Sequence, residues 1–219
     1  MSSAFPASAR PRSGRMLAVT FAWGACFIAI RWGLRDASPQ WFATLRSVLA
    51  GAALLIVARA RGRSPLRGIE AWGMVAALAF VNVAVAFAAM FAGVAGLSTG
   101  AAAVLANAQP LLIVLPAWFL YGERIETQTI AGLAAGFVGL LVVAVPGGGG
   151  TGAGLSLLSA AAITTGTLLA RRLAAFDLVT ATGWHFVLGG AMLAVWAVVV
   201  EGPPRIDWTW RFVGVLAFL

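Results

Sequence analysis

Few side chains in this protein are equipped for chemistry, and most of them sit inside long apolar runs. Arg46, Asn82, Asn107, Gln109 and His185 each lie in a segment of mostly apolar residues. An arginine in such a run could attract an anionic group of a small solute, or reach back to the nearer interface and fix helix packing. His185 is the single histidine. Imidazole changes charge near neutral pH, so it is the candidate for proton coupling, with a hydrogen-bonded packing role as the alternative. The three amides must bond to another helix, to water or to a ligand. Trp23 and Trp184 could form walls of a pocket. Pro110, followed by Pro116, removes a backbone donor and could bend its helix, freeing carbonyls beside a cavity. Glu123 and Arg124, at the end of the same run, read as a structural or gating ion pair.

What is missing narrows the chemistry. There is no lysine, so neither a P-loop nor a Schiff base can form, and one cysteine with one histidine cannot build a structural metal site. The glycine run from Gly147 to Gly154 lacks the Lys and Ser/Thr order that cradles phosphate. No cluster of acids, and no nucleophile with its base, lies at one depth. The expectation is therefore no enzyme, no cofactor and no metal, with a lipid-modifying enzyme disfavoured.

These residues need elements that hold them in lipid. Of 219 residues, 61% are hydrophobic and 10% charged, against about 25% charged in soluble domains. A helix crosses the hydrocarbon with about 20 apolar residues. Seven full spans are predicted at 16–34, 39–58, 71–92, 97–120, 127–145, 152–170 and 178–200, and an eighth opens near Trp208 and runs to Leu219. Trp32, Trp41, Trp72, Trp208 and Trp210 lie near span ends, as interfacial anchors do.

All fifteen bases are arginines, giving a formal charge of +8. Arg10, Arg12, Arg15, Arg59, Arg61, Arg63, Arg67, Arg124, Arg171 and Arg172 fall on one side, against Arg31, Arg35 and Arg205 on the other. Short arginine-rich loops stay cytoplasmic, so the protein is placed in a bacterial inner membrane with its amino terminus in the cytoplasm, and nucleic acid is not expected as a partner. Residues 1–15 read as a cytoplasmic tail, with a signal or transit peptide as the alternative.

Shifting the sequence by 139 positions lays Arg46–Ala52 on His185–Ala191, with four of seven residues identical. The turn at Ser38-Pro39 falls on Asp177-Leu178. Five spans separate the equivalent helices, so the second copy runs the opposite way through the bilayer. Such inverted repeats place a solute site between the halves in many secondary transporters.

Trp23-Gly24, Pro39 followed by Arg46, the stretch from Ala95 through Pro110 to Gly122-Glu123-Arg124, and Gly132, Gly136 and Gly139 resemble EamA-type members of the drug/metabolite transporter superfamily. The resemblance implies an all-α polytopic protein with an inverted five-plus-five repeat, of which seven full helices and part of an eighth are present. Residues 16–146 would be the first EamA-like repeat and 152–219 an incomplete second one. It further implies export of a small metabolite, amino acid or drug by alternating access. Substrate contacts are expected from Trp23, Arg46, Asn82, Asn107, Gln109, Trp184 and His185, with Pro110, Glu123 and Arg124 gating or structural. The expected partners are the bilayer and a small organic solute. The pattern leaves room for a homo-oligomer or partner membrane chain. A non-transporting fragment, or a scaffold subunit, is the competing reading.

Overall fold

A computed structural model describes residues 13–121, 127–144, 150–170 and 176–219. Among them are nine helices: α1 Ser13–Gly33, α2 Pro39–Ala60, α3 Ile69–Gly96, α4 Thr99–Ala106, α5 Gln109–Tyr121, α6 Thr127–Ala144, α7 Gly150–Ala170, α8 Leu178–Glu201 and α9 Trp210–Phe218. Four of these, α2, α3, α7 and α8, are each long and apolar enough to cross a membrane, and shorter apolar helices cover Leu17–Gly33, Thr99–Val114 and Thr127–Val142. The only β pairing among the described residues is a single bridge from Ala37 to Ile206.

Polar residues set the helix starts. Asp177 precedes α8 and accepts from the Thr180 backbone N–H at 2.9 Å. Thr209 does the same for α9 through Phe212, at 3.1 Å. A side-chain oxygen at this position satisfies one of the donors that a helix leaves unbonded in its first turn. Ser38 precedes α2 with Pro39 in the first turn, and there a carboxylate from elsewhere supplies the cap. Gly202 ends α8 at φ 75°, a conformation that favours glycine, and Pro203-Pro204 then prevents continuation.

Two predicted spans are not plain α-helices. The third holds a π-helical stretch, Ala79–Val85, with Asn82 at its centre. Wider turns bring backbone outward, and here glycines receive it. Gly189 of α8 has no side chain to collide with Val83, and a Cβ on Gly166 of α7 would lie 2.7 Å from the Asn82 Oδ1. The fourth predicted span, 97–120, is broken in two: α4 ends at Ala106, Asn107 caps it, and α5 starts at Gln109. Pro110 thus lies in the first turn of a new helix, where its missing N–H costs nothing, rather than bending a continuous one. The break itself is at Asn107.

The centre of the fold is the antiparallel crossing of α2 and α8. A Cβ on Gly51 would lie 2.8 Å from Val187 and from the Gly183 carbonyl, and one on Gly190 would lie 2.7 Å from Val48. Under the 139-residue shift, Gly51 corresponds to Gly190 and Val48 to Val187. Each contact is therefore the two-fold counterpart of the other, the signature of a self-complementary interface. Leu55 against Gly183 extends the same antiparallel register. The inverted repeat is visible as packing.

Candidate functional site

Arg46 leaves α2 inside the bundle and stacks its guanidinium over the Phe87 ring of α3, 4.5 Å from the centroid. Its Nε and Nη1 are buried and bond to nothing among the described residues. Phe87 also meets Phe186 of α8 at 5.9 Å, and Phe186 lies 4.6 Å from the ring of His185, whose two nitrogens are likewise buried without a partner. Phe87 and Phe186 thus link the two repeat mates. Arg46 and His185 do not touch directly: in the antiparallel register Arg46 is level with Met192, about two turns from His185.

The amides form two further junctions. Trp23 Nε1 donates to Asn107 Oδ1 at 2.7 Å, and Asn107 Nδ2 donates to the Ala103 carbonyl at 2.7 Å, so one side chain ties α1 to the end of α4. Gln109 Nε2 donates to Thr167 Oγ1 at 2.9 Å, beside the Gly166 that receives Asn82. Asn82 and Gln109 therefore converge on adjacent residues of α7. Trp184 stands apart, packed on Trp72 with centroids 5.1 Å apart. Glu123 and Arg124 lie outside the described residues.

A groove of about 710 Å³ contains none of these residues. It runs between α3, α7 and α8, and its walls include the exposed Phe80, Val195 and Trp196.

Sequence reasoning missed the ends of the α2–α8 pair, where the partners lie more than 100 residues apart. At one end, here termed the clasp, Glu201 receives the Ser38 hydroxyl at 2.5 Å and the Gln40 backbone N–H at 3.0 Å. Trp41 Nε1 donates to the Gly202 carbonyl at 3.0 Å. Asp36 holds Arg211 through two bonds, 3.0 and 2.7 Å, and its carbonyl accepts from the Asp207 N–H at 2.8 Å beside the Ala37–Ile206 bridge. The Arg211 guanidinium keeps the Asp36 carboxyl below the usual carboxylate range, against the opposing effect of burial. From sequence, Arg211 is merely a basic residue inside the last helix. In the structure it fastens the start of α9 to the α1–α2 link.

At the other end, Leu66, Arg67, Phe176, Asp177 and Thr180 line a cleft of about 360 Å³. Under the repeat shift these are the counterparts of Arg205, Ile206, Ala37, Ser38 and Trp41. Where the clasp end is bridged, its counterpart is open. Among the described residues one exposed ion pair crosses this cleft, Arg63 Nη1 to Asp177 Oδ2 at 3.5 Å. Asp177 is also held below the usual carboxylate range, chiefly by the Thr180 backbone bond.

Comparison with known proteins agrees with this architecture. A crystal structure at 20% identity superposes with a TM-score of 0.61, covering 90% of this chain and 74% of that one, which shows a shared fold. A WAT1-related chloroplastic protein of Arabidopsis thaliana is 32% identical over 84% of this chain. A Synechocystis protein named as an uncharacterized transporter is 28% identical over 91%, and an Escherichia coli protein named a probable amino-acid metabolite efflux pump is 31% identical over 58%. The chain spans 46%, 68% and 40% of their respective lengths. A sequence model described as the EamA-like transporter family matches residues 15–145, well over half the chain. With its helices long and apolar enough to cross a membrane, the chain is a multi-pass membrane protein and belongs to the EamA-like transporter family.

Proposed function

We propose that the protein moves a small organic solute outward across a bacterial inner membrane by alternating access, with its amino terminus in the cytoplasm. The halves that move are residues 16–146 and 152–219. The observation that carries the reading is the difference between repeat-equivalent contacts. Ala37 is bridged to Ile206 at one end, while Phe176 and Arg67, their counterparts, face each other across a cleft. In an inverted repeat, exchanging the conformations of the halves opens the closed end and closes the open one. The relative named as an amino-acid metabolite efflux pump supports outward movement of a metabolite.

Arg46 is the residue assigned to the solute. Its buried, unpartnered guanidinium nitrogens carry a cost that an anionic group or water would relieve. Asn107 with Trp23, and Gln109 with Asn82, line the path as polar contacts that can exchange their present partners for solute. His185 is the proton-coupling position. Trp184, stacked on Trp72, serves packing rather than contact with solute.

The test is sensitivity of a deletion strain to a panel of amino acids, their metabolites and drugs. Wild type and Arg46→Ala are compared at equal membrane abundance. Wild type should restore tolerance to at least one compound and Arg46→Ala should not, whereas Trp210→Ala, at an exposed position, should behave as wild type. Tolerance with Arg46→Ala equal to wild type would remove the residue from the site.

A further inference from the structure

The cleft between the α2–α3 link and the start of α8 holds chemistry that movement of a solute does not require. Its volume, about 360 Å³, falls within the roughly 300–1,000 Å³ of small-ligand sites. Ser64 and Arg67 stand on one side, Phe176 and Thr180 on the other. Arg59, Arg61, Arg63 and Arg67 are all exposed within nine residues. The nearby acid is already satisfied: Asp177 accepts from the Thr180 N–H and hydroxyl, at 2.9 and 3.0 Å, and pairs with Arg63. Arg67 has no acid bonded to it among the described residues. The cleft therefore offers a positive wall and a hydroxyl, with its one carboxylate neutralised.

The surroundings identify the kind of anion. Ile69 and Leu178, immediately beside the cleft in sequence, are 90% and 64% exposed, which is unfavourable in water and favourable against acyl chains. The Trp72–Trp184 pair lies one to two turns further into α3 and α8, and amphipathic aromatic side chains collect at headgroup depth. We propose that this cleft binds the phosphate of an anionic phospholipid headgroup, with Arg67 as its charge partner and Ser64 as a hydroxyl donor. Basic pockets between helices suit such headgroups. A headgroup seated here occupies the place where the clasp end makes its bridge. Anionic lipid then favours the state open at this end, because only that state has room for it.

Native mass spectrometry of the full chain, released from nanodiscs of phosphatidylcholine mixed with phosphatidylglycerol, tests the assignment. Wild type should retain phosphatidylglycerol in preference to phosphatidylcholine. Arg67→Ala should weaken that retention about fivefold, the effect of one arginine at an anionic surface, and Arg67→Lys should restore most of it. Arg59→Ala removes the same charge from the same link but lies outside the cleft, so it should change retention by less than about twofold. Equal losses in Arg59→Ala and Arg67→Ala would mean a diffuse basic surface and overturn the proposal, as would equal retention of the two lipids by wild type. In lipid-free detergent, inorganic phosphate should leave the melting temperature unchanged. A rise with phosphate that disappears in Arg67→Ala would assign the cleft to a free anion instead. Retention requires no transport, so failure here leaves the transporter reading untouched.

Discussion

The two ends of the α2–α8 pair share a backbone plan and differ in side chains. At the clasp, Asp36, Glu201 and Arg211 reinforce the backbone contacts of Ala37 with Ile206 and of Asp36 with Asp207. At the opposite end the repeat counterparts of Glu201, Asp207 and Arg211 are Gly62, Gly68 and Trp72. A backbone bridge can form at either end, since it needs no particular side chain. The buried Asp36–Arg211 pair and the Glu201 cap can form at one end only, while the other end carries the exposed Arg63–Asp177 pair at 3.5 Å. If the halves exchange conformations as proposed, this divergence favours the state closed at Asp36–Arg211. The core follows the same division. Phe42, Phe91 and Phe212 pack fully buried beneath the clasp, with ring centroids 5.0 and 5.2 Å apart, whereas a smaller cluster of Val75, Leu78 and Ala181 lies toward the cleft.

The largest effect should come from the crossing on which both ends depend. In Gly51→Leu the new side chain meets the Gly183 carbonyl and the Val187 backbone N–H, each 2.8 Å from the Cβ position, and backbone cannot swing aside. Overpacking of this kind costs about 1–3 kcal/mol, and the melting temperature in detergent should fall steeply. Gly139→Leu, where nothing lies within 4 Å, is the matched control and should melt near wild type. Similar melting of both variants would mean that the crossing does not hold the ends together.

Next in size is the difference between the ends themselves. Asp36→Ala removes two charge-assisted bonds and leaves Arg211 without its acid, a loss of about 1–2 kcal/mol given that the arginine remains about one-third exposed. Arg63→Ala breaks an exposed pair at 3.5 Å and should leave melting unchanged. If Arg63→Ala proved the more damaging, the two ends would have been ranked in the wrong order.

How much of this was legible from sequence depends on how local each cause is. Spans were legible because apolar runs are contiguous, and the repeat because Val48, Leu49, Gly51 and Ala52 recur at one offset. The Ser38 and Asp177 starts were also found as equivalent turns. The π stretch around Asn82 was hidden, because it answers glycines at 166 and 189 in other helices. The break at Asn107 was masked by an apolar run that continues on both sides, and Pro110 drew attention three residues too far along. For the candidate site, unusual polar residues were legible one by one, but their partners were not. Thr167 is one of several hydroxyls on α7, and only Gln109 distinguishes it. Glu201 carries no motif, and its importance comes from a helix start 160 residues away.

The smallest predicted effect sharpens the comparison through acid. Asp36 faces Arg211, with Arg35 nearby and Asp207 on the paired segment, and its carboxyl is held below its usual value of 3.8 mainly by hydrogen bonds from Arg211. A carboxyl with a lowered value in the folded state stabilises that state fully above the unfolded value and loses this contribution as pH falls through the folded one. The clasp should therefore hold at pH values above 3.8 and loosen progressively below it. Asp177 is lowered too, but chiefly by the Thr180 backbone N–H of its own helix, so its protonation frays the first turn of α8 rather than parting the halves. Spin labels at Trp32→Cys and Arg205→Cys, in a Cys26→Ser background, should move apart on acidification, while a pair at Arg61→Cys and Leu178→Cys should shift less. Replacing Asp36 with Asn should reduce the acid response at the clasp, because Asp36, one of the two carboxylates that bond across it, is gone while Glu201 remains. A response undiminished in Asp36→Asn would place the acid-sensitive contact at another group and remove the Asp36–Arg211 pair as its cause.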